Sequence, residues 1–199
     1  DFDFSRPVLC LGDDLGFIDK STGADGTVNG WNWSFGDGGS SLSQNPTHLY
    51  GSAQTYPVKL VVTNSQGCVS NVTTKEYTVY PYPVVNAGPD RFVLEDGNIT
   101  LEPSVAGNNL SYLWQPATYL NDDKIERPVS SPLADITYTL TVTNPGGCTG
   151  SDMVFVKVLK GPKIPNTFTP NGDGINETWR IEYLDTYPEN RVQVFTRTG

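Results

Sequence analysis

The sequence predicts an all-β chain, and three observations carry that expectation. Gly 20 and Pro 15 among 199 residues, with many Thr, Val, Asn and Ser, favour short strands joined by turns. No run of ten or more residues places apolar side chains at the i, i+3, i+4, i+7 spacing of a helix face, because Pro or Gly interrupts almost every candidate. Apolar and polar side chains instead alternate with the period of two that gives a strand one buried face, as Phe2 and Phe4 do with Asp1 and Asp3. The length allows one large domain or two small ones.

Internal self-similarity favours two. Leu60-Val61-Val62-Thr63-Asn64-Ser65-Gln66-Gly67-Cys68 returns eighty residues later as Leu140-Thr141-Val142-Thr143-Asn144-Pro145-Gly146-Gly147-Cys148. Val8-Leu9-Cys10 and Val93-Leu94 open corresponding stretches, followed by Leu15 and Phe17 in one and Ile99 and Leu101 in the other. Trp33 and Trp114 fall at matching places. Tandem modules over 1–80 and 81–160 are expected, joined near Tyr80-Pro81-Tyr82-Pro83. In the first, Ser21 to Gly30 reads as a polar turn, and Trp31, Trp33 and Phe35 as one side of a strand that Gly36-Asp37-Gly38-Gly39 ends. Asn45 to Tyr50 reads as a later turn and Thr55 to Asn64 as a long strand.

Trp33-Ser34-Phe35-Gly36-Asp37-Gly38, Pro46-Thr47-His48-Leu49-Tyr50 and Tyr56-Pro57-Val58-Lys59-Leu60-Val61-Val62-Thr63-Asn64 resemble the PKD domain. The resemblance implies an immunoglobulin-like β-sandwich over residues 5 to 80. Pro57 departs from the family's usual Thr and is expected at a strand end or edge. The second module keeps Tyr138, Leu140, Val142 and the tryptophan without the F-G-D-G word, and is similar to the same family.

The tail, 161–199, opens with Ile164-Pro165-Asn166-Thr167-Phe168-Thr169-Pro170-Asn171-Gly172-Asp173-Gly174-Ile175-Asn176-Glu177-Thr178-Trp179. Pro165 and Pro170 forbid helix, while Asn-Gly and Asp-Gly supply positive φ at low cost, so a tight turn between extended segments is expected. Strands are expected near Asn166 to Phe168, Thr178 to Leu184 and Arg191 to Thr196. The dense word carried by Pro165, Asn166, Phe168, Thr169, Pro170, Asn171, Gly172, Asp173, Gly174, Asn176 and Trp179 resembles the gliding-motility-associated (type B) C-terminal domain of Bacteroidota proteins exported by the type IX secretion system. That resemblance implies an export signal read by an outer-membrane translocon barrel and its shuttle protein, with residues 1 to 160 as cargo. Thr196-Arg197-Thr198-Gly199 stands where the family usually has an Asn-Arg-Trp-Gly turn, and the family domain is about twice as long, so the expected architecture is two tandem PKD-type sandwiches followed by an incomplete β-sandwich. Thirty-nine residues are too few to enclose a core of their own, and the segment is expected to offer unpaired edges to another chain.

The net charge of −9 is spread: 8 acids against 4 bases in 1–80, 9 against 5 in 81–160, and 5 against 4 in 161–199. No basic stripe exists to neutralise phosphates, which argues against nucleic acid as a partner. No apolar run approaches 20 residues and no charged-then-apolar leader stands at Asp1, so neither a transmembrane helix nor a signal peptide is expected. The chain is expected to begin after processing or within a longer protein, and the family resemblance favours the second. Of the three cysteines, the resemblance to secreted PKD repeats implies a Cys10–Cys68 disulfide with Cys148 left free, because Leu94 stands where Cys10 does; three separate thiols are the alternative.

Candidate chemistry is sparse. The one histidine, His48, lies in a turn word that explains it structurally, and a hydrolase triad needs a nucleophile and an orienting acid beside it. Asp13-Asp14 and Asp122-Asp123 are adjacent carboxylates, which point to opposite faces of a strand. Calcium is the more credible ligand: Asn171, Asp173 and Glu177 supply hard oxygens around glycines, without the full twelve-residue order of an EF-hand, and Asp37 is a second candidate. Turn geometry alone also accounts for each. Trp31, Trp33, Trp114 and Trp179 invite a sugar-stacking reading, against which alternating tryptophans of a sandwich strand belong to the core. The expected function is that of a non-enzymatic, extracellular or surface-bound export cargo without cofactor, its modules serving as spacer or adhesive units. The alternatives are a polysaccharide-binding module and the accessory tail of a secreted hydrolase.

Overall fold

The computed structural model describes residues 1–23, 25–175 and 177–195. The strands are β1 (Phe2–Phe4), β2 (Leu9–Cys10), β3 (Asp14–Asp19), β4 (Val28–Ser34), β5 (Ser40–Ser41), β6 (Thr47–Leu49), β7 (Thr55–Asn64) and β8 (Thr73–Tyr80), then β9 (Val84–Asn86), β10 (Arg91–Leu94), β11 (Ile99–Thr100), β12 (Ser104–Ala106), β13 (Ser111–Gln115), β14 (Val129–Ser130), β15 (Ile136–Thr143) and β16 (Thr149–Leu159). The chain is all-β with immunoglobulin-like sandwich domains; the one helical piece among the described residues is a 3₁₀ turn, Leu184–Thr186. Contacts gather the chain into two units, one of residues 1–84, 105–111 and 142–150, the other of 85–104, 112–141 and 151 onward.

In the first unit, a sheet ordered β1-β3-β6 faces one ordered β2-β8-β7-β4-β5. Alternation decides what lies between them: Tyr56, Val58 and Leu60 of β7, Tyr77 and Val79 of β8, Leu15 and Phe17 of β3, and Trp33 of β4 are buried, with Phe2, Leu9, Phe35 and Tyr50 completing the core. Asn45 to Tyr50 departs from the expected turn, since Thr47–Leu49 form a strand that pairs with Asp14–Gly16. The apolar alternation of β3 needed a partner for its backbone groups, and β6 supplies it. Pro57 is third in β7, opposite Glu76, but lies beyond the last β4–β7 pair, Ser34–Lys59. On that side the neighbour is Gly36, whose added Cβ would fall 2.9 Å from the proline ring. Proline thus costs no hydrogen bond to β4.

The second unit is built on a sheet ordered β10-β16-β15-β13, with the small pair β11-β14. Val93, Trp114, Tyr138, Leu140, Val154, Val156 and Val158 are buried. The self-similarity extends to register: β2 runs parallel to β8 with Leu9 opposite Val79 and Cys10 opposite Tyr80, and β10 runs parallel to β16 with Val93 opposite Val158 and Leu94 opposite Leu159. The matched tryptophans are both fully buried; each indole N–H donates to a loop carbonyl, Trp33 to Ser43 at 3.0 Å and Trp114 to Ile125 at 3.2 Å.

The expected Cys10–Cys68 disulfide does not form. Cys10 is bonded to Cys148, and Cys68 is free and exposed. Strand geometry explains the correction: Cys10 pairs with Tyr80 at the C-terminal end of β8, whereas Cys68 precedes that strand, and the seven steps from Thr73 to Tyr80 span about 23 Å at the rise of a β-strand. A disulfide tolerates Cα atoms no more than about 7 Å apart; Cys10 and Cys148 stand at 5.7 Å. Residues 142–150 belong to the same unit as Cys10. There Gly146 lies against the Tyr80 ring so closely that an added Cβ would sit 2.3 Å from it, and Asn144 Nδ2 donates to the Pro81 carbonyl at 2.7 Å.

The tail holds no strand among its described residues. The segments expected near 166–168 and 178–184 stay unpaired apart from an isolated bridge between Lys163 and Glu182; 191–195 forms none, and Thr196 to Gly199 lie outside the described residues. Strands need partners for their backbone groups, and thirty-nine residues interrupted by prolines and turns do not provide them.

Candidate functional site

The turn of the tail is built from its own side chains. Gly172 and Gly174 take φ of 81° and 80°, which glycine adopts without a Cβ penalty. Asn171 Oδ1 accepts the Asp173 N–H at 3.3 Å, Asp173 Oδ1 accepts the Ile175 N–H at 2.8 Å, and Glu177 Oε1 accepts the Gly174 N–H at 3.1 Å. Asn171 Nδ2 donates to Asp173 Oδ2 at 2.9 Å. This bond and the Ile175 N–H hold the Asp173 carboxyl below its usual range. Asn171 and Asp173 thus close successive Asx turns, and Glu177 reaches back to the Gly174 N–H. No three His, Cys, Asp or Glu side chains converge into a metal-holding group among the described residues.

Trp179 fastens the far side of the turn, its indole N–H donating to the Pro165 carbonyl at 2.8 Å. Lys163 and Glu182 exchange backbone hydrogen bonds at 3.0 and 3.1 Å, so the two prolines and the tryptophan frame a closed loop. Around it Ile164, Phe168 and Ile175 are exposed. Asn166, Thr169 and Pro170 lie within the same loop, and Asn176 is outside the described residues.

In the sandwich, Asp37 and His48 form a clamp. His48 Nε2 lies 2.7 Å from Asp37 Oδ2, Asp37 Oδ1 accepts the Gly39 N–H at 2.8 Å, and the imidazole stacks on Phe35 at 4.2 Å. Tyr50 donates its hydroxyl to the Phe35 carbonyl at 3.0 Å, and burial pushes its pKa up. Gly39 is required because a Cβ there would fall 2.8 Å from the imidazole. The words F-G-D-G and P-T-H-L-Y are thus the two halves of one contact, with Asp37 committed to the loop.

Burial raises the Asp37 pKa, but the hydrogen bonds from His48 and the Gly39 N–H outweigh it and hold the carboxyl below its usual range. Unfolding returns it to about 3.9. A depressed folded pKa stabilises above the unfolded value, and that contribution is lost as pH falls through the folded one. Urea midpoints are expected to drop below about pH 4, and Asp37→Asn to show a shallower drop over the same range.

Trp31 is half-buried against the core, with its indole N–H on Asp19 Oδ2 at 2.7 Å. Tyr50 and Tyr56, the aromatics that would extend it into a stacking platform, are buried at 2% and 1% exposure. The adjacent acids Asp13-Asp14 and Asp122-Asp123 remain in loops and strand ends, where Asp122 accepts the Lys124 N–H and Asp13 pairs with Arg6.

Residues 162–199 match the CHU_C type IX secretion signal domain, and residues 9–79 match the PKD domain family. The chain is a type IX secretion cargo with a PKD module. As such the cargo is secreted to the cell surface or outside the cell. It is 44% identical over 57 residues to Collagenase ColA of Bacillus cereus, covering 29% of this chain and 6% of the enzyme. It is 42% identical over 55 residues to a microbial collagenase of Vibrio alginolyticus, covering 28% and 7%. The cargo chain thus spans less than a tenth of the length of these relatives. Among solved structures, the C-terminal 282-residue fragment of intimin, in complex with the intimin-binding domain of its translocated receptor, has the same sandwich architecture at a TM-score of 0.55 and 10% identity, over 77% of the cargo and 62% of that chain. No helix of the described residues is long and apolar enough to cross a membrane.

Proposed function

We propose that the cargo is a non-enzymatic surface or secreted protein of the gliding-motility-associated adhesin type. Its sandwiches serve as spacer or adhesive units, and residues 161–199 serve as the address bound by the translocon barrel and its shuttle protein. The observation that carries this reading is the closed turn from Pro165 to Trp179, which spends its polar groups on itself and leaves Ile164, Phe168 and Ile175 exposed. His48, the one histidine of the sequence, is engaged with Asp37 in the loop clamp. A reporter joined to the native sequence from residue 161 to the end of the protein is expected outside a type IX-competent cell, with export reduced severalfold by Trp179→Ala. Retention of the unmodified fusion in the periplasm overturns the proposal.

A second reading, the accessory region of a secreted hydrolase whose catalytic domain lies upstream of Asp1, draws support from the 44% identity to a collagenase. Zymography of the full-length secreted protein on gelatin and on polysaccharide separates the two, since only the second reading expects clearing.

A further inference from the structure

We propose that Cys68 is the docking point of a preceding sandwich module of the same polypeptide, forming a disulfide with a cysteine that occupies in that module the place Cys10 occupies here. The argument rests on one turn seen twice. At Cys148, Asn144 Oδ1 accepts the Gly146 and Cys148 N–H groups, both at 3.0 Å, and the Asn144 N–H meets the Cys148 carbonyl at 3.1 Å. At Cys68, Asn64 Oδ1 accepts the Gln66 and Cys68 N–H groups at 3.0 and 2.9 Å, and the Asn64 N–H meets the Cys68 carbonyl at 3.0 Å. The glycine before each cysteine has positive φ, 81° at Gly67 and 74° at Gly147. Of these equivalent thiols, one is seen bonded, and its partner is the β2 cysteine of the sandwich before it.

The rule is therefore directional: the hairpin cysteine of one module bonds the β2 cysteine of its predecessor. Two further observations fit it. Leu94 occupies the β2-type position of the second module, and residues 149–199 contain no cysteine that would need a partner there. Around Cys68 the surface is uncovered, with Val69 66% and Val72 56% exposed, whereas Cys148 is 1% exposed. Gln66 stands where Gly146 does, and Gly146 has room for no Cβ against Tyr80. Docking at Cys68 therefore requires, in the place of Tyr80, an upstream residue that leaves room for a glutamine.

Formation of the bond removes one proton and one electron from each thiol, and a disulfide of a thiol oxidoreductase in the compartment crossed during export accepts the two electrons and is reduced to its dithiol. Non-reducing peptide mapping of the full-length secreted protein, alkylated before digestion, tests the assignment, with the Cys10–Cys148 peptide in the same digest showing that native bonds were kept. The expected result is a Cys68 peptide linked to an upstream peptide whose cysteine ends a short strand like Leu9–Cys10. Recovery of alkylated Cys68, a Cys68–Cys68 link between two copies, or an upstream sequence without a cysteine at that position overturns it.

Discussion

Replacing Cys148 by serine is expected to lower the stability of the 199-residue chain by about 2–5 kcal/mol, while Cys68→Ser shifts it by less than about 0.5 kcal/mol. The bond from Cys10 spans 138 residues, and the chain-entropy model assigns a loop of that size about 5 kcal/mol, an upper bound where the unfolded chain keeps structure. Cys68 is exposed and unbonded in this chain, so its thiol has no loop to close. A Cys10–Cys68 bond gives the opposite order of effects, with Cys148→Ser silent. Urea midpoints of the two variants and of Cys10→Ser, followed by tryptophan fluorescence, decide between the orders; Cys10→Ser is expected to match Cys148→Ser.

This ordering also shows where sequence reading stops. The fold class and the core tryptophans were legible because period-two alternation and repeat matching report on burial directly, and Trp33 and Trp114 lie where that pattern places them. The disulfide was not legible in the same way. Both hairpin cysteines sit in the same Asn-x-x-Gly-Cys turn, so the repeat offers Cys10 two equivalent partners, and only the register of β2 on β8 removes one. One signal was present: Gly146, in place of Gln66, permits the close approach to Tyr80 that brings the turn to Cys10.

The signal segment illustrates a second boundary. Its turn was legible because Asn-Gly and Asp-Gly enforce positive φ locally, and Gly172 and Gly174 comply. Its strands were not, since alternation such as that of Val192 and Val194 states which side chains want cover without naming the partner. The Asp37–His48 clamp lay between these cases: both words were visible, but their contact arises across eleven residues through the β3–β6 pairing that brings Thr47–Leu49 into the sheet.

Trp33→Ala is expected to cost about 3–5 kcal/mol, against about 1–2 kcal/mol for Trp31→Ala, whose charge-assisted bond and partial burial are the only losses. The two indoles are separated by one residue on β4 and therefore face the same side, so the difference lies in depth and not direction. Trp33 is fully buried, packs edge-on to Phe2 at 5.1 Å and lies 5.5 Å from Phe17, joining β4 of one sheet to β1 and β3 of the other. Its loss leaves a cavity between the sheets that neither can fill without losing ladder pairs. Trp31 lies nearer the rim, where its N–H helps hold Asp19 ionised against the opposing effect of burial, together with Ser21 and Gln44. Removing it exposes Asp19 to water more than it opens the core, so the near-UV circular dichroism is expected to collapse for Trp33→Ala and to persist for Trp31→Ala. Equal destabilisation by the two variants contradicts the assignment of Trp33, and not Trp31, as the residue that joins the sheets.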